Sequence, residues 1–317
     1  MTQRPGIDAG LLAPIANRPH LAALLGALCI AFSGIFYRFA GESPSTAVVF
    51  RCLYGLPILV AVALYERRRG AQFDRRTVAL AAFAGAFFAA DLTSWHHAIE
   101  AVGAGLSTVL GNLSVLVVGV AAWLFLGERP SRGVLVALPV VLLGVVLISG
   151  LLDDQAYGRD PPFGVALGLI TAVSYGAYLL VIRRAGQGGQ SAGPVAVSTA
   201  STAVVGLVAG VVLGAAGLGG VDLEPSWPAH GWLVAYGVTS QSLGYLLISL
   251  SLPRLPAVVT SIILLAQPVA TVVLSMILLA EAPSIGQLAG VALVVGGIAV
   301  ATVPLQRLRP RPAPATP

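Results

Sequence analysis

Lysine is absent from this chain: all 18 basic residues are Arg. Charge of either sign is scarce. Asp, Glu and Arg make up 10% of the 317 residues, against about 25% in an ordinary soluble domain, while 57% are hydrophobic. That balance excludes a soluble globular domain and indicates an all-α integral membrane protein. Cysteine is nearly missing too. Cys29 and Cys52 both sit in apolar stretches, which leaves no disulfide framework and no cysteine metal site. There is no Walker loop for nucleotide hydrolysis and no Ser/His/Asp set, so no catalytic residue, metal or cofactor is assigned. The pI near 9.6 does not point to nucleic acid, because the Arg residues lie between apolar spans. The first apolar run lacks a small-residue cleavage site after it and is expected to remain as an uncleaved helix.

What the chain has in abundance is apolar runs. Ten spans stand near the roughly 20 residues that a helix needs to cross hydrocarbon: about 20–39, 46–65, 77–99, 103–126, 132–150, 163–183, 194–217, 230–252, 256–280 and 284–303. Lipid offers no partner for open backbone groups, so these must be helices. The placement of Arg sets the orientation. With the N-terminus inside, the inside segments hold fifteen Arg residues and the outside loops hold Arg159 alone. Both termini are then cytoplasmic in a multi-pass protein of the cell membrane.

Two turns divide the chain. Leu126-Gly127-Glu128-Arg129-Pro130 is echoed by Leu279-Ala280-Glu281-Ala282-Pro283, at an offset of 153 residues that also pairs Ser131 with Ser284 and Gly144 with Gly297. This is an internal repeat. Each half has five spans, an odd number, so the halves enter the membrane in opposite senses, an arrangement that places a substrate site between them near the midplane. The organisation expected is a cytoplasmic segment 1–19, a first five-helix repeat 20–150, a second 163–303, and a disordered cytoplasmic tail 304–317.

The Gly127-Glu128-Arg129-Pro130 turn with its Gly-rich following span, Gln267-Pro268-Val269 leading to Glu281-Ala282-Pro283, and Gly290 with Gly296-Gly297 together resemble the drug/metabolite transporter superfamily with two EamA-type repeats. The stretch from Asp91 through Trp95-His96-His97 to Ile99 is similar to the third span of many bacterial members. The resemblance implies ten helices around a central cavity and secondary transport, most often export of amino acids or related metabolites. One departure stands in the fourth span. Members often carry a mid-helix Pro there, as the ninth span does at Pro268, whereas here Asn112-Leu113-Ser114 replaces it.

Polar groups inside the spans are the candidate site. A charge at a helix centre costs roughly 2.5–3.5 kcal/mol on insertion scales, so such residues face a cavity or a partner. Asp91 in the third span suits a substrate amine or a coupling proton, or else an ion pair with Arg51 that locks two helices. Arg51, at a similar depth in the second span, suits a carboxylate or phosphate, or else snorkels to the headgroups. Arg38 reads as an interfacial anchor. Trp95, one turn beyond Asp91, shares its helix face and would wall the pocket. His96 and His97 point about 140° and about 240° away and read as interfacial polar groups. Asn112, Ser114, Gln241 and Gln267 lie near the middles of spans four, eight and nine and bond either substrate or a neighbouring helix. Thr171, Tyr175 and Tyr178 form one stripe, and Tyr245 follows Gln241 by a turn; these line the second half of the cavity or pack the core. Glu128 and Glu281 read as loop anchors. Gly206, Gly210 and Gly214 allow close helix approach, within the chain or across a homodimer face.

The leading expectation is therefore alternating access for a small-molecule metabolite, with membrane lipids as the other partner. A flippase for a lipid or lipid-linked intermediate is the rival, marked by a groove open sideways to lipid. A membrane enzyme built on His96 and His97 would need more convergent ligands.

Overall fold

The computed structural model describes residues 18–302, apart from 69, 73, 127–131, 186–191, 218–219, 252–254, 256–258 and 260–262. Glu128 with its turn, the tail 304–317 and all but the end of segment 1–19 lie outside the described residues.

Ten helical rods follow one another: α1 (Pro19–Ala40), α2 (Pro44–Arg68), α3 (Arg75–Val102), α4 (104–126), α5 (Arg132–Ile148), α6 (Pro161–Ala185), α7 (Ala192–Ala215), α8 (229–251), α9 (Ala266–Leu278) and α10 (Ile285–Thr302). Seven are long and apolar enough to cross a membrane; α5 and α9 are shorter apolar helices, and α8 is assembled from three segments. Local chemistry sets the starts. Pro opens α1, α2 and α6, where its missing N–H costs no helical bond. Asp74 caps α3 by accepting a bond from the Thr77 amide at 2.7 Å. The outward faces are apolar: Leu124, Leu142, Val208 and Ile277 are more than half exposed, as a lipid-facing surface requires.

The packing pairs reveal the symmetry. α3 packs on α6 as α8 packs on α1; α3 packs on α7 as α8 packs on α2; α6 packs on α4 as α1 packs on α9. Three further large pairs, α2 with α7, α4 with α9 and α5 with α10, join each helix to its own counterpart. Exchanging α1–α5 for α6–α10 reproduces these principal pairs, so the fold is two five-helix repeats. Each repeat has an odd number of spans, and the repeats are inverted. Small residues set the crossings. A Cβ on Gly290 would stand 2.6 Å from the Gly144 carbonyl, and one on Gly144 would stand 2.8 Å from the Gly290 carbonyl, so backbones touch where α5 meets α10. The Gly206–Gly210–Gly214 stripe is used within the chain, against Val48, Ser45 and Gly220.

Two rods are interrupted. α4 turns at Asn112–Leu113, where the Leu113 amide bonds the Leu110 carbonyl and the Asn112 side-chain amide bonds the Thr108 carbonyl, 2.8 Å away. The break that a proline would impose is present without one, because Asn112 offers its side chain as a competing partner. In α8, residues Gly237–Gly244 form a π-helix between α-helical ends.

The loop residues 103, 149–160, 216–217, 220–228 and 279–284 gather at the end of the bundle that is poor in Arg. There Glu281, only 3% exposed, accepts bonds from the amides of Ala104 and Gly105 at 2.6 and 3.1 Å. It serves as the acidic cap of α4 from the opposite repeat. Gly103 makes room for it: its φ is +91°, and a Cβ would fall 2.8 Å from the carboxylate.

Candidate functional site

The site forms where α2 and α3 of the first repeat meet α7 and α8 of the second. Arg51, from α2, is 3% exposed. Its Nε donates to Gln241 Oε1 at 2.8 Å, and an Nη1 hydrogen goes to the Tyr236 hydroxyl at 2.6 Å. Gln241 in turn donates to Thr199 Oγ1 of α7 at 3.0 Å. The guanidinium carbon lies 4.6 Å from the Tyr236 ring centroid and 5.8 Å from that of Phe88, so π faces supply part of the solvation that burial removes. A guanidinium carries more N–H donors than these bonds use.

Asp91, from α3, is 6% exposed. No ion pair joins it to Arg51, and its carboxylate makes no hydrogen bond with any described residue; only its backbone carbonyl is engaged, by Ser94 and Thr171. The expectation that Asp91 and Arg51 lock spans two and three through an ion pair is therefore not what the structure contains. A buried carboxylate and a buried guanidinium share one region without neutralising each other by contact. Taking such groups out of water costs several kcal/mol per ion.

Beside them stands an aromatic wall. Phe88 stacks on Tyr178 at 4.7 Å, meets Tyr175 at 6.4 Å and meets Tyr245 edge-on at 6.2 Å; Tyr175 and Tyr178 stack at 5.7 Å. The stripe on α6 and the residue one turn past Gln241 thus come together with Arg51 and Asp91. Trp95 is buried in a neighbouring cluster with Tyr37, Phe50 and Tyr236, beside Gly111 rather than among the tyrosines. Ser114 is buried in α4. Asn112 is spent on its own helix. Gln267 is half-buried and makes no hydrogen bond with the other candidates among the described residues.

His96 is not an interfacial group. It is fully buried, its Nε2 lies 3.1 Å from the Tyr236 hydroxyl, and its ring sits 4.4 Å from that of Tyr37. The turn of helix that separates it from Asp91 aims it at α8, where a polar chain receives it. His97 does stand at the periphery, its Nδ1 3.7 Å from Glu100. Among the described residues, no three His, Cys, Asp or Glu side chains converge as metal ligands would.

Sequence reasoning missed Tyr236, the residue that holds both Arg51 and His96. It precedes Gln241 by five positions, which an α-helix would turn about 140° apart. The π-helical segment, with its i→i+5 ladder, brings both onto the face toward Arg51. It also missed Phe88, which is indistinguishable from core in a run of Ala and Phe, and the outer pair Tyr54–His230, bonded at 2.7 Å.

At 3% and 1% exposure, Arg51 and Gln241 are closed off from bulk water.

Comparison with known proteins agrees with this architecture. A solved crystal structure superposes with a TM-score of 0.61 at 18% identity, covering 90% of this chain and 98% of the other; at that identity the likeness concerns the fold. No curated protein matches. The model of the EamA-like transporter family matches twice, over residues 17–150 and 162–303, the two five-helix halves that the packing pairs also separate. The chain is a multi-pass membrane protein and belongs to the EamA-like transporter family.

Proposed function

We propose that this protein is a secondary transporter that moves a small organic metabolite, an amino acid or related compound, by alternating access between its inverted repeats. One observation carries the reading: Arg51 and Asp91 are buried between the repeats, close to one aromatic wall, yet unpaired with each other. Arg51 would take the anionic group of the substrate through its unused N–H donors, and Asp91 would take a cationic group or a coupling proton. Phe88 and the tyrosines would pack the remainder. Movement of α8 against α2 would open the site, since Gln241 and Tyr236 hold Arg51 across that seam. Export across the cell membrane, with both termini cytoplasmic, is the direction and placement that the family and the Arg distribution support.

The test is uptake of a metabolite panel into proteoliposomes. Arg51→Ala and Asp91→Asn are each expected to abolish transport of the substrate found while leaving reconstitution and membrane insertion intact. Unchanged transport in both variants would sink the site assignment. Movement of a fluorescent lipid between leaflets, with every soluble metabolite inert, would replace it with the flippase reading.

A further inference from the structure

A pocket of about 220 Å³ opens at the Arg-poor end of the bundle, apart from the central cluster. Its walls carry Arg38 from the end of α1, Glu100 from the end of α3, Tyr157 and Arg159 from the loop before α6, and the backbone of Gly103 and Gly158. We propose that this pocket is a binding site for the carboxylate of a small organic metabolite, an outer stage on the path to Arg51. Its place on a path rests on the transport reading; the binding itself does not.

The charges argue for an anion. Neither Arg38 nor Arg159 makes an ion pair or a hydrogen bond with any described residue. Two carboxylates stand at this pocket and both are engaged: Glu100 accepts from the Tyr37 hydroxyl at 2.9 Å, faces His97 at 3.7 Å and feels the Arg159 charge, and Glu281, behind Gly103, accepts from the amides of Ala104 and Gly105. What remains open to the pocket is two guanidinium groups from separate elements. Both are exposed to the pocket with their N–H donors unbonded by any described residue, and a carboxylate between them can be held in the bidentate manner that guanidinium favours. Arg159 is also the only Arg of the loops at this end, in a segment otherwise acidic with Asp153, Asp154 and Asp160.

The site is built rather than incidental. Gln287 of α10 clamps Tyr157 from both sides, accepting from its amide at 2.8 Å and donating to its carbonyl at 2.9 Å. The Asp160 amide bonds the Ala101 carbonyl at 3.1 Å. Gly158 lies between these anchors at a φ of +122°, where a Cβ would be 2.7 Å from that same carbonyl. The loop is thereby pressed onto the end of α3, and Arg159 is presented from a fixed backbone. The volume lies below the range of about 300–1,000 Å³ that holds drug-sized ligands and suits a small metabolite. The floor leads inward: Glu100 is one turn beyond His96 on α3, and the Tyr37 ring touches His96, which reaches Tyr236 and so Arg51. Arg38, read from sequence as an interfacial anchor, is by this geometry part of the pocket.

A phospholipid phosphate presents similar oxyanion chemistry at the same level, so the experiment separates the two. The purified full chain, in nanodiscs of phosphatidylcholine, is treated with phenylglyoxal, and the modification rates of Arg38 and Arg159 are followed by mass spectrometry. Acetate, succinate and glutamate are the probes, with choline chloride matching ionic strength, and Arg75 and Arg76 at the other end are the internal reference. A carboxylate at about ten times its Kd is expected to slow both Arg38 and Arg159 about tenfold, with the reference unchanged. Arg38→Gln is expected to remove the protection of Arg159; if that variant does not fold, Arg159→Gln with Arg38 as the reporter replaces it. Equal rates with and without every probe would overturn the proposal, as would protection that appears only in phosphatidylglycerol nanodiscs regardless of probe, the sign of a lipid headgroup. Protection that persists in Arg51→Ala keeps the outer site even where transport fails, so the two readings fall separately.

Discussion

Replacing Gly237 with Ala is expected to separate α2 from α8 and disturb the Arg51 cluster without removing any polar group. Gly237 is the first residue of the π-helical segment. A Cβ there would lie 2.7 Å from the Arg51 carbonyl, 2.8 Å from the Gly55 amide nitrogen and 2.9 Å from Tyr54 Cβ. Two of these are backbone and cannot rotate away. Restoring ordinary contact requires α8 to retreat by roughly 0.7 Å. Arg51 Nε now sits 2.8 Å from Gln241 Oε1, so a rigid retreat carries that bond past about 3.2 Å, the outer limit of good geometry. Overpacking costs about 1–3 kcal/mol. Losing a bond to a charged group costs about 1.5–3 kcal/mol. The better helical backbone of Ala opposes both by about 1 kcal/mol. The net expectation is destabilisation by about 1.5–5 kcal/mol. Gly296 is the control, because a Cβ there meets nothing within 4 Å; Gly296→Ala should be neutral or stabilising by up to about 1 kcal/mol. Reversible unfolding in mixed detergent and dodecyl sulfate micelles, followed by circular dichroism, reads both. Should Gly237→Ala match the parent protein, the close seam between α2 and α8, and the account of Arg51 built on it, would be refuted.

Two further expectations concern the Arg-poor end. Glu281→Ala removes the acceptor of two α4 amides and should cost about 1–2 kcal/mol, the upper part of the range for a lost N-cap, with Glu281→Gln falling between it and the parent in the same unfolding assay; an unchanged midpoint for both would show that the cap does not hold the repeats together. The Asp153 carboxyl is held below the usual carboxylate range, first by the Ser284 hydroxyl, 2.5 Å away, and then by the Gln155 amide. A lowered folded value means that the contribution is complete above the unfolded value, near ~3.9, and is lost as pH falls through the folded one. Amide protection at Gln155 should hold from pH 5 upward and fade only below about pH 4, with the loss shifted to higher pH in Ser284→Ala; fading already at pH 6 would contradict the assigned bond.

The ten spans were legible because lipid forces every spanning segment to be helical and apolar, and the symmetry was legible because Glu281 sits where the offset from Glu128 places it. The break at Asn112 was legible only as a polar pair; that it ends a helix follows from the bond to Thr108, which sequence does not rank against simple continuation. Arg51, Asp91, Gln241 and the α6 tyrosines stood out as polar groups in apolar runs. Which of them touch was not legible. Gln241 meets Arg51 across a seam that depends on Gly55 and Gly237, and Tyr236, five positions before Gln241, joins them only because Gly237–Gly244 of α8 is a π-helix. Asn112 and Gln267 carried the same polar signal as Gln241 and are not joined to the cluster; Asn112 satisfies its side chain on its own helix, at the Thr108 carbonyl.

The frame is symmetric, but its chemistry is not. Gly85 approaches the Ser198 carbonyl where α3 crosses α7, as Gly237 approaches the Arg51 carbonyl where α8 crosses α2. That correspondence puts Ser198 at the position of Arg51 in the other repeat. Pairing Gly85 with Gly237 sets Gln241 opposite Ala89, Tyr236 opposite Ala84 and Asp91 opposite Leu243. Each charged or amide group of the cluster therefore faces a small or apolar residue across the pseudo-two-fold axis. Duplicating Arg51 would place a second buried guanidinium near the first, at a cost of several kcal/mol for the desolvated ion alone. The inverted repeat supplies two equivalent ways to tilt, while a single set of polar groups supplies one ligand orientation. On the proposed transport reading, a ligand bound to Arg51 by an anionic group would be held the same way round whichever repeat moved, so symmetry in the motion would not require symmetry in what is carried.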